Sequence, residues 1–329
     1  MNERKQYFNF ITLLRALAAI IITNAHYTGI YPSDIIANGG LLGDVIFFSV
    51  SGFCLASPVL SFGKWYAKRL WRIYSVVWIA TLVFSLLGAW YVNSVLDVVK
   101  WFIHPTHYHF IASITLLYIP LYFVSWYIEL NRTNYALAAF GLLGAQLFLY
   151  IIIYDRSYYH IDTVREPMIE FLFFQSMLLG LFFRQKCISG SFLINKKTVG
   201  QKTALWVCMF VMLVVYFVSK LLFVKCTSLS EIQLLNQVVL FVVLYLLFNC
   251  TFMFEDKLKE LSNKKVWCGV KFLSDHTLEI YCVQYVIIEW IRNARLPFPI
   301  NWVVLTVAIL LAATVLRWTS QKVIALIKI

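Results

Sequence analysis

Long apolar windows broken by short polar or Pro/Gly-containing stretches recur along the whole chain. They predict ten helices, near 8–27, 40–60, 73–92, 110–130, 135–154, 167–184, 203–224, 234–254, 270–291 and 301–320. Most of these windows approach the roughly 20 residues that cross a bilayer. The fold class expected is therefore all-α, a polytopic membrane helix bundle with about ten transmembrane helices and its polar groups turned inward, because lipid satisfies none of them. Pro120 interrupts the fourth window, and the stretch 93–109 before it reads as a polar, aromatic-rich loop. With no linker, second hydrophilic domain or internal repeat in view, 1–329 is read as a single integral-membrane domain.

Composition agrees with this pattern and excludes an ordinary soluble globule: 61% of the 329 residues are hydrophobic and 13% charged. The net charge of +12 does not mark a nucleic-acid binder, because the cations fall in the breaks between apolar windows. With the N-terminus inside, alternate loops put twenty of the 28 Lys and Arg on the cytoplasmic side, Arg4, Lys5, Lys196, Lys197, Arg317 and Lys328 among them. Seven, including Arg156 and Arg165, fall outside, and Arg15 lies within a span. The positive-inside rule then predicts both termini in the cytoplasm. Arg4 and Lys5 precede an apolar run as in a signal peptide, but Thr23-Asn24-Ala25 is a poor cleavage site, so an uncleaved first span is expected. Seven scattered cysteines without a CxxC pair predict no disulfide framework.

Against this apolar background the ionisable residues carry the chemistry. Arg15 sits inside the first window, where a cation costs at least about 2.5 kcal/mol and marks a functional site facing the protein interior or a wet cavity. His26 follows eleven residues later. At about 100° per residue the two return to nearly one face, about 16 Å apart along the axis. Lys68, Arg69 and Arg72 form a basic stretch with interleaved aromatics, and Arg69 and Arg72 are i,i+3 neighbours if the third helix begins early. Two readings of them stand: a fork for one polyphosphate, or topology signals that snorkel to lipid phosphate. Asp44 is either a solvated helix-end residue or a carboxylate that orients His26, while Ser51 and Gly52 are explained by close helix packing. His104, His107 and His109 lack the further ligands of a metal site, so the expectation is an outer loop that meets headgroups or sugar. Glu170, Glu279 and Glu289 fall in apolar runs, where carboxylates pair or line cavities.

These residues resemble acyltransferase family 3, integral-membrane O-acyltransferases of bacterial surface polysaccharides. The likeness rests on Leu14-Arg15-Ala16-Leu17-Ala18 followed by His26, on Phe47-Phe48-x-x-Ser51-Gly52-Phe53, and on Lys68-Arg69-x-x-Arg72-Ile73-Tyr74, in matching order across the first quarter of the chain. Ser125-Trp126-Tyr127-Ile128 followed by Tyr135 resembles the family's Trp-containing segment, with Glu129 as the available carboxylate where many members have acids at the positions of Asn131 and Arg132. Thr277-Leu278-Glu279-Ile280-Tyr281-Cys282-Val283-Gln284 is similar to the family's Ser-x-x-Ile-Tyr-x-x-His pattern, with Gln284 in place of the histidine. An amide hydrogen-bonds but exchanges no proton near neutrality.

The resemblance implies acetyl transfer from acetyl-CoA, a substrate rather than a resident cofactor, to a hydroxyl of a cell-surface polysaccharide or lipid-linked precursor. It implies a multi-pass protein of the bacterial cytoplasmic membrane, in contact with lipid. His26 and Arg15 would be catalytic, and Arg15, Lys68, Arg69 and Arg72 would meet the donor, with Asp44, Ser51, Trp126, Glu129, Tyr281 and Gln284 in support. Direct attack by the acceptor hydroxyl is preferred to an acyl-enzyme, with Ser51 as the alternative nucleophile. The rival class is a transporter or flippase for surface sugars, against which stands the lack of detectable repeats.

Overall fold

A computed structural model describes residues 7–128, 131–163, 166–188 and 198–326. Arg4, Lys5, Glu129, Arg165, Lys196, Lys197 and Lys328 lie outside the described residues. The described chain is helical: α1 (Asn9–Ala25), α2 (Gly40–Leu55), α3 (Phe62–Leu86), α4 (Val95–Val98), α5 (His109–Tyr127), α6 (Arg132–Ile153) and α7 (Pro167–Ile188) come first. There follow α8 (Val199–Lys225), α9 (Leu234–Phe252), α10 (Glu255–Leu261), α11 (Trp267–Asp275), α12 (Thr277–Asn293) and α13 (Ile300–Leu326). Among the described residues seven helices are long and apolar enough to cross a membrane, namely α3, the stretch Thr106–Tyr127 that contains α5, and α6, α7, α8, α9 and α13, while α1 and α2 are shorter apolar helices.

Every apolar window holds a helix; the second stops at Leu55 and the last runs on to Leu326, and the third, fourth and ninth differ from expectation for physical reasons. The third begins at Phe62 rather than near 73, because Lys64, Lys68, Arg69 and Arg72 lower hydropathy without lowering helix propensity. Through Pro120 the helix α5 runs unbroken, as membrane helices allow when neighbours re-satisfy the freed carbonyl. The ninth window divides at His276 into α11 and α12. The stretch expected as a loop at 93–109 contains α4, a π-helical turn Val99–Ile103 and a 3-10 turn Thr106–Tyr108. A capping box of Ser94 and Asp97 starts it, and the hydrogen bonds from Ser94 and from backbone amides hold the exposed Asp97 carboxyl below the ordinary range.

The chain forms two compact units, the first made of Met1–Leu14, Val45–Ser57 and Pro120–Gly269, the second of Arg15–Asp44, Pro58–Ile119 and Val270–Ile329. In the first, Glu255 caps the start of α1, its two carboxylate oxygens accepting from the Asn9 and Phe10 amides at 2.8 Å each. A carboxylate there meets orphan donors and the positive end of the helix dipole together. Phe10 packs edge-on against Phe53 at 5.5 Å and Phe252 at 5.3 Å. Gly52 of α2 and Gly180 of α7 let two backbones touch: a Cβ on Gly52 would land on the Met177 carbonyl, and one on Gly180 on the Ser49 carbonyl. Buried amides pin the loop after α6 to α9, with Gln233 accepting from the His160 and Ile161 amides at 2.9 Å each and Gln237 bonded to Gln146 at 2.6 Å.

In the second unit α3, α12 and α13 pack against one another. Tyr27 meets Thr306 at 3.2 Å, and Asn301 donates to the Ile30 carbonyl at 2.8 Å, tying the segment after α1 to α13. Close to that segment, a Cβ on Gly43 would lie 2.6 Å from the Ile22 side chain, so α2 begins hard against the end of α1.

Candidate functional site

The second unit carries Arg15, His26, Asp44, Lys68, Arg69, Arg72, Tyr281 and Gln284, whereas Ser51 and Trp126 belong to the first. His26 stands one residue beyond the end of α1, half-buried, and Arg15 is half-buried within that helix. The side chain that reaches the imidazole is Tyr285 of α12. Its hydroxyl lies 3.3 Å from His26 Nε2, and the two rings meet edge-on with centroids 4.7 Å apart. Tyr281, one turn earlier, stands edge-on to Tyr285 at 5.5 Å and near Phe110 at 5.1 Å. Asp44, buried in α2, is within electrostatic reach of Tyr281 and Tyr285. Gln284 is fully buried. These residues lie on the second unit, and the side-chain hydrogen bond of His26 is shared with a phenol rather than with a carboxylate.

The basic stretch is helical, so Arg69 and Arg72 do share a face of α3, one turn apart. Arg69 is half-buried, whereas Arg72 and Lys68 are exposed. Arg69 lies over the Trp65 ring at 5.7 Å. Arg72 is within charge reach of Glu279 at the start of α12, and Glu279 is paired with Arg317 of α13 at 3.6 Å. Arg317 also donates to the Asp275 carbonyl, and Asp275 accepts from Lys271 at 2.6 Å. Two guanidinium groups around one buried carboxylate leave a positive balance on which an anionic ligand can draw.

The remaining expectations divide. Ser51 is half-buried in α2, and the phenylalanines around it pack: Phe48 stacks on Phe173 at 4.1 Å and Phe53 stands 5.5 Å from Phe8. Trp126 is exposed and stacks on Tyr122 at 5.5 Å. Glu289, expected in an apolar run, is exposed near the end of α12. His107 lies flat on Trp101 at 3.9 Å, and Trp101 in turn on Trp90 at 4.4 Å, an aromatic stack rather than a cluster of imidazoles. Among the described residues no group of three or more His, Cys, Asp or Glu is arranged to hold a metal.

Two members of the site escaped the sequence reading. Tyr285 is one of nineteen tyrosines, and its only available signal was the i,i+4 spacing from Tyr281 on the helix that carries Gln284. Arg317 read as one more cytoplasmic cation, although it follows a long apolar run and so invites a search for a buried carboxylate.

The chain is helical, and one of its compact units carries the histidine, the phenol and the arginines described above. The family model described as the Acyltransferase domain matches residues 8–318, and the chain belongs to acyltransferase family 3. Comparison with curated proteins and with solved structures finds no match.

Proposed function

We propose that this membrane acyltransferase is an O-acyltransferase that moves an acetyl group from acetyl-CoA to a hydroxyl of a cell-surface polysaccharide or its lipid-linked precursor. It would work in the bacterial cytoplasmic membrane, with ten spans and both termini in the cytoplasm. The observation that carries this reading is His26 held through Nε2 by Tyr285 in a chain of this family. A neutral imidazole can take up a proton and give it back, which suits it to work as a general base.

In the reaction so read, the acceptor hydroxyl attacks the thioester carbonyl while His26 takes its proton. The tetrahedral intermediate expels CoA thiolate, which receives that proton from the imidazolium. Arg69 and Arg72 hold the phosphates of the donor by charge-assisted hydrogen bonds, and Arg15 meets the donor part-way into the membrane. Asp44 and Tyr281 line the polar surroundings of Tyr285, the hydrogen-bond partner of His26.

The test is purified protein in detergent given radiolabelled acetyl-CoA with and without a glycan acceptor. Release of CoA that depends on the acceptor supports the reading. Binding of the sugar with no turnover of acetyl-CoA contradicts it and favours transport.

A further inference from the structure

Tyr285 takes no part in any motif by which the chain resembles its family, yet it is the side chain that engages His26. Its hydroxyl lies 3.3 Å from Nε2 across 259 positions of sequence, and its ring meets the imidazole edge-on at 65°. Neutral histidine carries one N–H, and the hydrogen bond made by one nitrogen decides which nitrogen holds the proton. A base works best when a third group fixes its ring and its tautomer, the role that a carboxylate performs in hydrolytic triads. At His26 the phenol occupies the place of that third group.

We infer that Tyr285 is a positioning residue: it accepts a hydrogen bond from His26 Nε2–H, and so leaves Nδ1 as the nitrogen that takes the acceptor's proton. The inference rests on the acyl-transfer reading for its catalytic half. Proton balance is simple. The acceptor O–H proton passes to Nδ1 as the new C–O bond forms, and Nδ1 returns it to the departing thiolate as the C–S bond breaks. Nε2–H stays on His26 throughout, its developing positive charge facing the phenol oxygen. Tyr285 touches neither reacting atom, and the edge-on ring contact holds the imidazole plane against rotation.

Tyr285→Phe deletes the hydroxyl and keeps the ring, so packing survives. The protein is labelled with ¹⁵N-histidine in lipid nanodiscs, and His26→Ala identifies the His26 signals among the six histidines. The wild type is expected to show a bare Nδ1 and a protonated Nε2 at neutral pH, and Tyr285→Phe a mixture of tautomers. With acetyl-CoA and a glycan acceptor, the same variant should lose about tenfold or more in kcat with an unchanged KM for acetyl-CoA. A wild type protonated on Nδ1, or a Tyr285→Phe variant with unchanged tautomer and kcat, would overturn the role of Tyr285. A protein with the expected tautomer and no acyl transfer would instead overturn the transfer reading and leave the tautomer assignment standing.

Discussion

Glu279 and Arg317 lie 3.6 Å apart and join the start of α12 to α13, with side chains 7% and 23% exposed. A charge pair so placed is weak evidence of net stabilisation, but removing one partner strands the other in a poorly solvated site. Arg317→Met is therefore expected to lower stability by about 3 kcal/mol, read as a lower unfolding midpoint in detergent. Adding Glu279→Gln should restore part of that loss. A wild-type midpoint for Arg317→Met alone would show that Glu279 finds its compensation in Arg72.

The facing glycines of α2 and α7 predict a second effect on stability. A methyl at Gly52 or Gly180 has backbone, not a flexible side-chain tip, in its way. Gly52→Ala and Gly180→Ala should each force the helices apart and destabilise by about 1–3 kcal/mol, whereas Gly141→Ala, which meets nothing within 4 Å, should not. Thermal unfolding followed by tryptophan fluorescence compares the three. Equal midpoints would mean that the crossing is not as close as the glycines imply.

Arg69→Ala and Arg72→Ala should weaken acetyl-CoA binding more than they change acceptor preference. Raising salt should imitate them in the wild type, because contacts between exposed guanidinium and phosphate are screened over about 8 Å at physiological ionic strength. Calorimetry with acetyl-CoA decides. Unchanged donor affinity in both variants would reduce these arginines to topology signals and to partners of Trp65 and Glu279.

How much of this was legible in the sequence follows from what each signal depends on. Hydropathy is a local property, so all ten helical windows were visible, and so was Gly52 as a packing residue. The early start of α3 was hidden because charged residues depress hydropathy while remaining good helix formers. Arg15, His26 and Arg72 stood out as ionisable groups in or beside apolar runs, and their order matched a family pattern. Tyr285 did not stand out, since a tyrosine in an apolar helix is common and its partner lies just past the end of α1, brought near only by tertiary packing. Arg317 was masked for a different reason: the positive-inside rule explains any cation near a helix end, and so conceals one that pairs with a buried carboxylate.

Charge and shape should matter more at Arg15 than at a loop arginine, because an ammonium cannot copy the guanidinium fork at a site with defined partners. Arg15→Lys is expected to insert normally and lose most acyl transfer. Arg156→Lys, at an exposed position, should keep it. Matched expression and turnover of the two variants supply the comparison, and equal activity would mean that Arg15 serves only to anchor the helix.

The most direct measurement is acceptor-dependent transfer of radiolabelled acetyl from acetyl-CoA by wild-type protein and by His26→Ala, purified in parallel and shown to be equally folded. Alanine preserves the end of α1 and removes the base. The account predicts a loss of roughly 100-fold or more in rate, with acetyl-CoA binding retained. Transfer at near wild-type rate by His26→Ala would contradict it.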